Sequence, residues 1–151
     1  MHKQRLAVII AAGVGVIASF LPWLTVTLPF FGSTSVNALS FWQGIFFLLL
    51  CGAAGTFAFL GDNREGPIDP QNVKFVAGGG AGAFLMVVIV LISGTGSSYG
   101  DVGGSFGIGL WIGLLAALAI VAVPFVIKDS GEFSMPTKDS IKDEFNEIKD
   151  K

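Results

Sequence analysis

The stretch FGIGLWIGLLAALAIVAVPFVI, from Phe106 to Ile127, contains no charged side chain. Apolar residues occupy every side of the helix it would form, which is typical of a membrane span rather than of a surface helix with one apolar stripe. About 20 helical residues are needed to cross a hydrocarbon core of ~30 Å. The stretch therefore predicts a transmembrane helix.

Three further stretches share this length and this lack of charge. They run from Leu6 to Leu24, from Phe41 to Leu60 and from Phe75 to Ser93. Each can close its own backbone hydrogen bonds without burying a charge. The sequence thus predicts an all-α integral membrane protein, with a four-transmembrane-helix bundle over residues 1–127 and a charged tail over residues 128–151.

The charge content excludes several classes of protein. Only 13% of the 151 residues are charged, against about 25% in ordinary soluble domains. This argues against a nucleic-acid-binding protein, a disordered chain and a conventional soluble domain. Cys51 is the single cysteine and His2 the single histidine, so we expect no intrachain disulfide, no metal site, no histidine-based triad and no cofactor.

The basic residues predict the orientation of the chain. Two precede the first span, two lie between the second and third spans, and five follow the fourth. With four spans, all nine fall on one side, and the positive-inside rule makes that side cytoplasmic, together with both termini. The alternative is a cleaved signal peptide over residues 1–18, but the apolar run continues to Leu24, which favours a span.

The loop after the first span, Thr25 to Ser40, is uncharged. It begins with alternating apolar and polar residues, and Pro29, Phe30, Phe31 and Gly32 have the composition of a turn. We expect a short extracytoplasmic β-hairpin-like flap between spans 1 and 2, over the outer ends of the helices. Its phenylalanines would meet either lipid headgroups or a partner protein, and Trp23 at the end of the first span is a further candidate for a partner surface.

The other outer loop and the tail have different compositions. Gly94 to Ser105 is rich in glycine and serine and predicts a flexible connection with little side-chain packing. In the tail, Ile141, Phe145 and Ile148 recur at i, i+4 and i+7, which predicts a cytoplasmic amphipathic helix over about 136–150. Its mixed charges argue against a basic membrane-binding helix, so the apolar stripe either docks on protein or the tail is mostly solvated.

Small residues recur every four positions in several spans and indicate close helix packing. Gly78 and Gly82 lie in the third span, and Gly109 and Gly113 lie in the fourth. These glycines either hold one protomer together or form faces for a homo-oligomer or another membrane protein.

Ionisable groups are missing at membrane depth, and no catalytic motif occurs. The sequence therefore predicts a non-enzymatic protein that acts through helix packing, as an accessory or scaffold subunit of a membrane complex or as a self-associating protein. An oligomeric pore or small-solute carrier is an alternative, with Gln43 and Thr56 as its lining residues. Binding of lipid or quinone between glycine-faced helices, at residues 78–82 or 107–113, is another.

Two motifs suggest a resemblance to known proteins. SFLPW, at residues 19–23, closes the first span, and GIGLW, at residues 107–111, opens the fourth. Together with the uncharged outer loop, they resemble small four-span prokaryotic membrane proteins of mostly unknown function, over about residues 6–127. The resemblance implies a multi-pass protein of the prokaryotic cytoplasmic (inner) membrane. Claudin-type proteins carry Gly-Leu-Trp in their first outer loop with two cysteines; here the motif heads the fourth span and the loops lack cysteine, which argues against that family.

Overall fold

The computed structural model describes residues 2–60, 65–96, 103–127 and 138–150. Its helices are α1 (Lys3–Phe20), α2 (Trp42–Phe59), α3 (Pro70–Gly96), α4 (Ile108–Val126) and α5 (Lys138–Lys149). A single 3₁₀ turn, Ala38–Ser40, precedes α2. The first four helices are long and apolar enough to span a membrane, as predicted, and they fit a multi-pass membrane protein.

Helices α1 to α4 form a closed ring in which each helix packs against two others. Helix α1 contacts α2 and α4, and α3 contacts the same two helices from the opposite side. The core between them contains Val8, Phe47, Val87, Leu110 and Ile120, all fully buried. The helices alternate in direction along the chain, so the ring has one end where α1 and α3 finish and another where α2 and α4 finish.

Three strands stand at the first of these ends, which we call the sheet end. They are β1 (Pro22–Leu28), β2 (Gly32–Asn37) and β3 (Gly103–Phe106), in the order β2-β1-β3, and both pairings are antiparallel. The hairpin of β1 and β2 confirms the predicted β-hairpin-like flap. Strand β3 was not predicted, because a four-residue strand with two glycines has almost no sequence signal and its partner β1 is far away in the chain.

The ends of the predicted spans shift where the sheet begins. Helix α1 ends at Phe20 instead of Leu24, because Pro22 disfavours the helical conformation at Leu21, which is extended (φ −76°, ψ 160°). Helix α4 begins at Ile108, since Phe106 belongs to β3. Helix α3 extends beyond the predicted span at both ends and begins at a proline, which suits a first helical position.

The tail helix is confirmed over part of its predicted length. Helix α5 covers Lys138–Lys149, and residues 136–137 lie outside the described residues. Phe145 and Ile148 are exposed on it. Ile141 belongs to the same helix, but its side chain lies outside the described residues.

Candidate functional site

The described residues contain no cluster of three or more histidine, cysteine, aspartate or glutamate side chains that could hold a metal ion. The features that can recognise another molecule are surfaces. They are a groove beside α1, the tip of the hairpin and the polar end of the ring, opposite the sheet.

The groove lies between α1 and α2 on the outer surface of the ring, and its volume is about 360 Å³. Gly13 and Gly52 line it from the two helices, and a Cβ atom added at either glycine would meet no other atom within 4 Å. Glycine in a helix costs about 1 kcal/mol relative to alanine, and no neighbour among the described residues requires it at either position. We call this surface, lined by Ile9, Gly13, Val16, Gly52, Thr56 and Phe59, the α1–α2 groove.

Three of the four glycines singled out in the sequence face this chain's own side chains. A Cβ at Gly113 would lie 3.1 Å from Phe47 and 3.3 Å from Trp23, and one at Gly82 would lie 3.1 Å from Leu50. A Cβ at Gly109 would lie 2.8 Å from the Cβ of Leu21. These glycines allow close packing within the protomer.

Gly78 alone of the four opens outward, with nothing within 4 Å of an added Cβ. Open space for a lipid or quinone is therefore not found at Gly82, Gly109 or Gly113, where this chain's own atoms fill it. It is found beside α1. A second groove, of about 480 Å³, lies between α1 and α4 and is lined by apolar side chains such as Ile10, Val14 and Leu115.

The two residues considered for a pore lie on different sides of α2. Gln43 and Thr56 are 13 positions apart on α2, so they lie about 20 Å apart along the helix and about 140° apart around it. The hydroxyl of Thr56 donates to the carbonyl of Gly52 in its own helix, at 2.8 Å. Thr56 therefore lines the α1–α2 groove, and its hydroxyl hydrogen already takes part in a hydrogen bond within α2.

Trp23 fills the sheet end of the ring from inside. Its side chain is fully buried, and its ring centroid lies 5.0 Å from that of Phe47 and 6.2 Å from that of Phe41. Its Nε1–H donates to the carbonyl of Ala18 in the last turn of α1, at 2.8 Å. Trp23 was a candidate for a partner surface, but in this fold it is enclosed by the protein itself.

The hairpin tip presents two phenylalanines without cover. Phe30 is 102% exposed and Phe31 is 88% exposed. The turn is closed by the Phe31 N–H, which donates to the Leu28 carbonyl at 3.3 Å, and Phe30 has a φ of 80°. With Pro29 before it, Phe30 occupies the position that favours glycine in a type II turn, and a side chain there costs about 1–2 kcal/mol.

At the opposite end, which we call the polar end, Gln4 and Arg5 are buried. The amide nitrogen of Gln4 donates to the Pro124 carbonyl at 2.8 Å, and its amide oxygen accepts from the Ile68 N–H at 2.9 Å. These two bonds join α1 to the last turn of α4 and to the segment before α3.

Arg5 makes the larger set of contacts at this end. Its guanidinium donates to three backbone carbonyls, at 3.2 Å to Leu60, 3.2 Å to Gly66 and 3.3 Å to Pro67. The exposed carboxylate of Asp69 lies 4.0 Å away.

The burial of Arg5 is not predicted from the sequence, in which this residue serves only to orient the chain. A sequence signal exists for Gln4, because the small residues Ala11 and Gly15, which indicate a packed face, follow it at helical spacing and lie with it on the inner face of α1.

No protein-family model matches the chain, and no curated protein is significantly similar to it.

Proposed function

We propose that this protein is a non-enzymatic multi-pass membrane protein that acts through helix packing, either as an accessory or scaffold subunit of a membrane complex or by self-association. In this proposal α1 to α4 span a prokaryotic inner membrane. The distribution of basic residues, with Lys3, Arg5 and Lys74 at the polar end, supports a cytoplasmic location for that end and for both termini.

The observation that carries the proposal is the pair of outward glycines in the α1–α2 groove. Within a bilayer, small residues let helix backbones approach closely, and van der Waals contact then supplies the association energy. Gly13 and Gly52 come from adjacent helices, line the same groove and serve no packing inside the protomer. The occupant that suits an apolar groove with two exposed backbones is a transmembrane helix, from another subunit or from a second copy.

The experiment is purification in mild detergent followed by mass measurement of the intact particle. We expect a particle heavier than the 15.8 kDa protomer. Gly13→Leu and Gly52→Leu should release the protomer, because a Cβ atom at either position has open space in this chain and the longer side chain would occupy the groove in place of a partner helix.

Gly78→Leu is the matched control, since Gly78 is equally open but lies on α3, outside the groove. It should leave the particle unchanged. A lone protomer from the unmodified chain, or equal masses for Gly13→Leu and the unmodified particle, would show that the groove holds no partner helix.

A further inference from the structure

The three-stranded sheet has two chemically different faces. Side chains alternate along each strand, and directly opposed residues share a face. Thr25 opposes both Ser35 and Ser105, whereas Leu24 opposes both Val36 and Phe106. One face, the hydroxyl face, therefore presents Thr25, Thr27, Ser33, Ser35 and Ser105. The other, the apolar face, presents Leu24, Val26, Leu28, Val36 and Phe106, with Thr34 between them.

The apolar face is turned toward the helices. Phe106 packs against the core of the ring, and Leu24 lies opposite Phe106 on the same face. If the four helices span a bilayer, as proposed above, this face is directed toward the membrane and the hydroxyl face is directed away from it.

The hairpin extends beyond the helices that support it. Exposure rises along β1, from the buried Trp23 through the half-buried Val26 to the exposed Leu28. At its tip, Phe30 and Phe31 have almost no cover. The outer part of the apolar face is therefore not covered by the ring.

The surroundings of this overhang match a lipid surface. Residues 20–46 and 103–113, which form the described part of the sheet end around the hairpin, contain no charged side chain. At the first turns of α2 and α4, Trp42 is 56% exposed and Trp111 is 50% exposed. Tryptophan is enriched at the membrane–water interface, so these two residues indicate the level of the lipid headgroups immediately below the sheet.

We infer that the sheet is a lipid-interface anchor, in which Leu28, Phe30 and Phe31 lie in the headgroup–acyl boundary of the bilayer that the helices span. The inference rests on the insertion of the helices but not on the α1–α2 groove. An uncharged apolar edge enters this boundary without electrostatic attraction, through buried apolar area alone. The positive φ of Phe30 belongs to the turn that places its fully exposed phenyl ring at the tip of the hairpin.

The test is a depth measurement in lipid nanodiscs. The full chain, with Cys51→Ala to remove the native thiol, is given Phe31→Cys and labelled with an environment-sensitive fluorophore. It is then reconstituted in phosphatidylcholine nanodiscs with and without a lipid bearing a nitroxide near the headgroup. We expect a blue-shifted emission that the nitroxide lipid quenches.

Ser33→Cys is the matched control, because Ser33 is also exposed and lies in the same hairpin but on the hydroxyl face. Quenching at position 33 should be several-fold weaker than at position 31. Equal, weak quenching at both positions would overturn the inference and leave the sheet standing in water. If the label at position 31 is shielded from water in native membranes but not in nanodiscs, the inference is also overturned, because a protein partner then covers the tip.

The result is separable from the test of the groove. Incorporation of the chain into nanodiscs measures membrane insertion, on which both ideas depend. If incorporation succeeds, a lone protomer with a quenched tip refutes only the groove, and a stable particle with an unquenched tip refutes only the anchor.

Discussion

The two ends of the helix ring both supply side-chain donors to carbonyls at helix C-termini, but one end uses an uncharged aromatic side chain and the other uses polar and charged side chains. A helix leaves the carbonyls of its last turn without partners, and these need donors where water is excluded. At the sheet end, the indole of Trp23 donates to the Ala18 carbonyl, which also accepts from the Leu21 N–H, and the indole fills the space between the helices. At the polar end, Gln4 and Arg5 donate to the carbonyls of Pro124 and Leu60, where α4 and α2 finish.

Because the two ends differ in chemistry, they should accept different substitutions. The uncharged indole of Trp23 closes the sheet end mainly by its volume, so another aromatic side chain should be accepted at that position. A cation at the polar end suits the negative ends of two helix dipoles, and it is stable only because its donors meet several carbonyls. The described residues of the sheet end, 20–46 and 103–113, thus contain no charged side chain next to the proposed anchor, whereas the buried charge lies at the end that we propose is cytoplasmic.

Substitution of Trp23 at the sheet end should cause the greatest loss of stability. Trp23→Ala should lower the free energy of unfolding by about 3–5 kcal/mol, because it leaves a cavity beside Phe47. Trp23→Phe should cost only about 1–2 kcal/mol, because the phenyl ring leaves a smaller cavity than alanine does and only the indole hydrogen bond is lost with it. Unfolding in detergent, followed by circular dichroism, measures both. Equal losses for the two variants would mean that the hydrogen bond, not the ring volume, closes this end.

Substitution of Arg5 at the polar end should cause the second-largest loss of stability. Arg5→Ala should lower the free energy of unfolding by about 3 kcal/mol, because the carbonyls of Gly66 and Pro67 lose the guanidinium donor and the Leu60 carbonyl keeps only the amide of Asn72. Arg5→Lys should recover little of this loss, since an ammonium group cannot reproduce the fork of a guanidinium.

Lys74→Ala is the control for that pair of variants. It removes the same charge from an exposed position at the same end, and the unfolding transition should move by less than ~0.5 kcal/mol. If Arg5→Lys restored full stability, charge alone would explain the polar end and the comparison of the two ends would lose its basis.

Substitution of Phe30 in the hairpin turn should change the stability least of the three. Phe30→Gly should raise the free energy of unfolding in detergent by about 1 kcal/mol, because glycine adopts a positive φ without strain. Phe30→Ala keeps a Cβ in the left-handed region and should give no such gain. The same unfolding measurement decides between them. Equal stability for Phe30→Gly and the unmodified chain would show that the turn stores no strain.

Much of the architecture was predictable because it depends on composition along the chain. Uncharged stretches predicted four helices, and the alternation from Leu24 to Leu28 with the turn at Pro29 predicted the hairpin. The candidate sites were less predictable. Gly82, Gly109 and Gly113 were expected as possible interface residues but pack inside the protomer, and Gly13 and Gly52, which were not singled out, line the open groove.

The four membrane-spanning helices follow from the amino-acid sequence alone, because long apolar stretches without charge allow little else. The side of each helix that faces inward follows only from the packing of the folded chain. A helix that is apolar all round has no stripe to set its rotation, so packing against its neighbours determines whether a glycine lies inside or outside. The same holds for Trp23, Arg5 and β3, because their burial or pairing depends on contacts with Phe47, Leu60 and β1, which are remote in the chain.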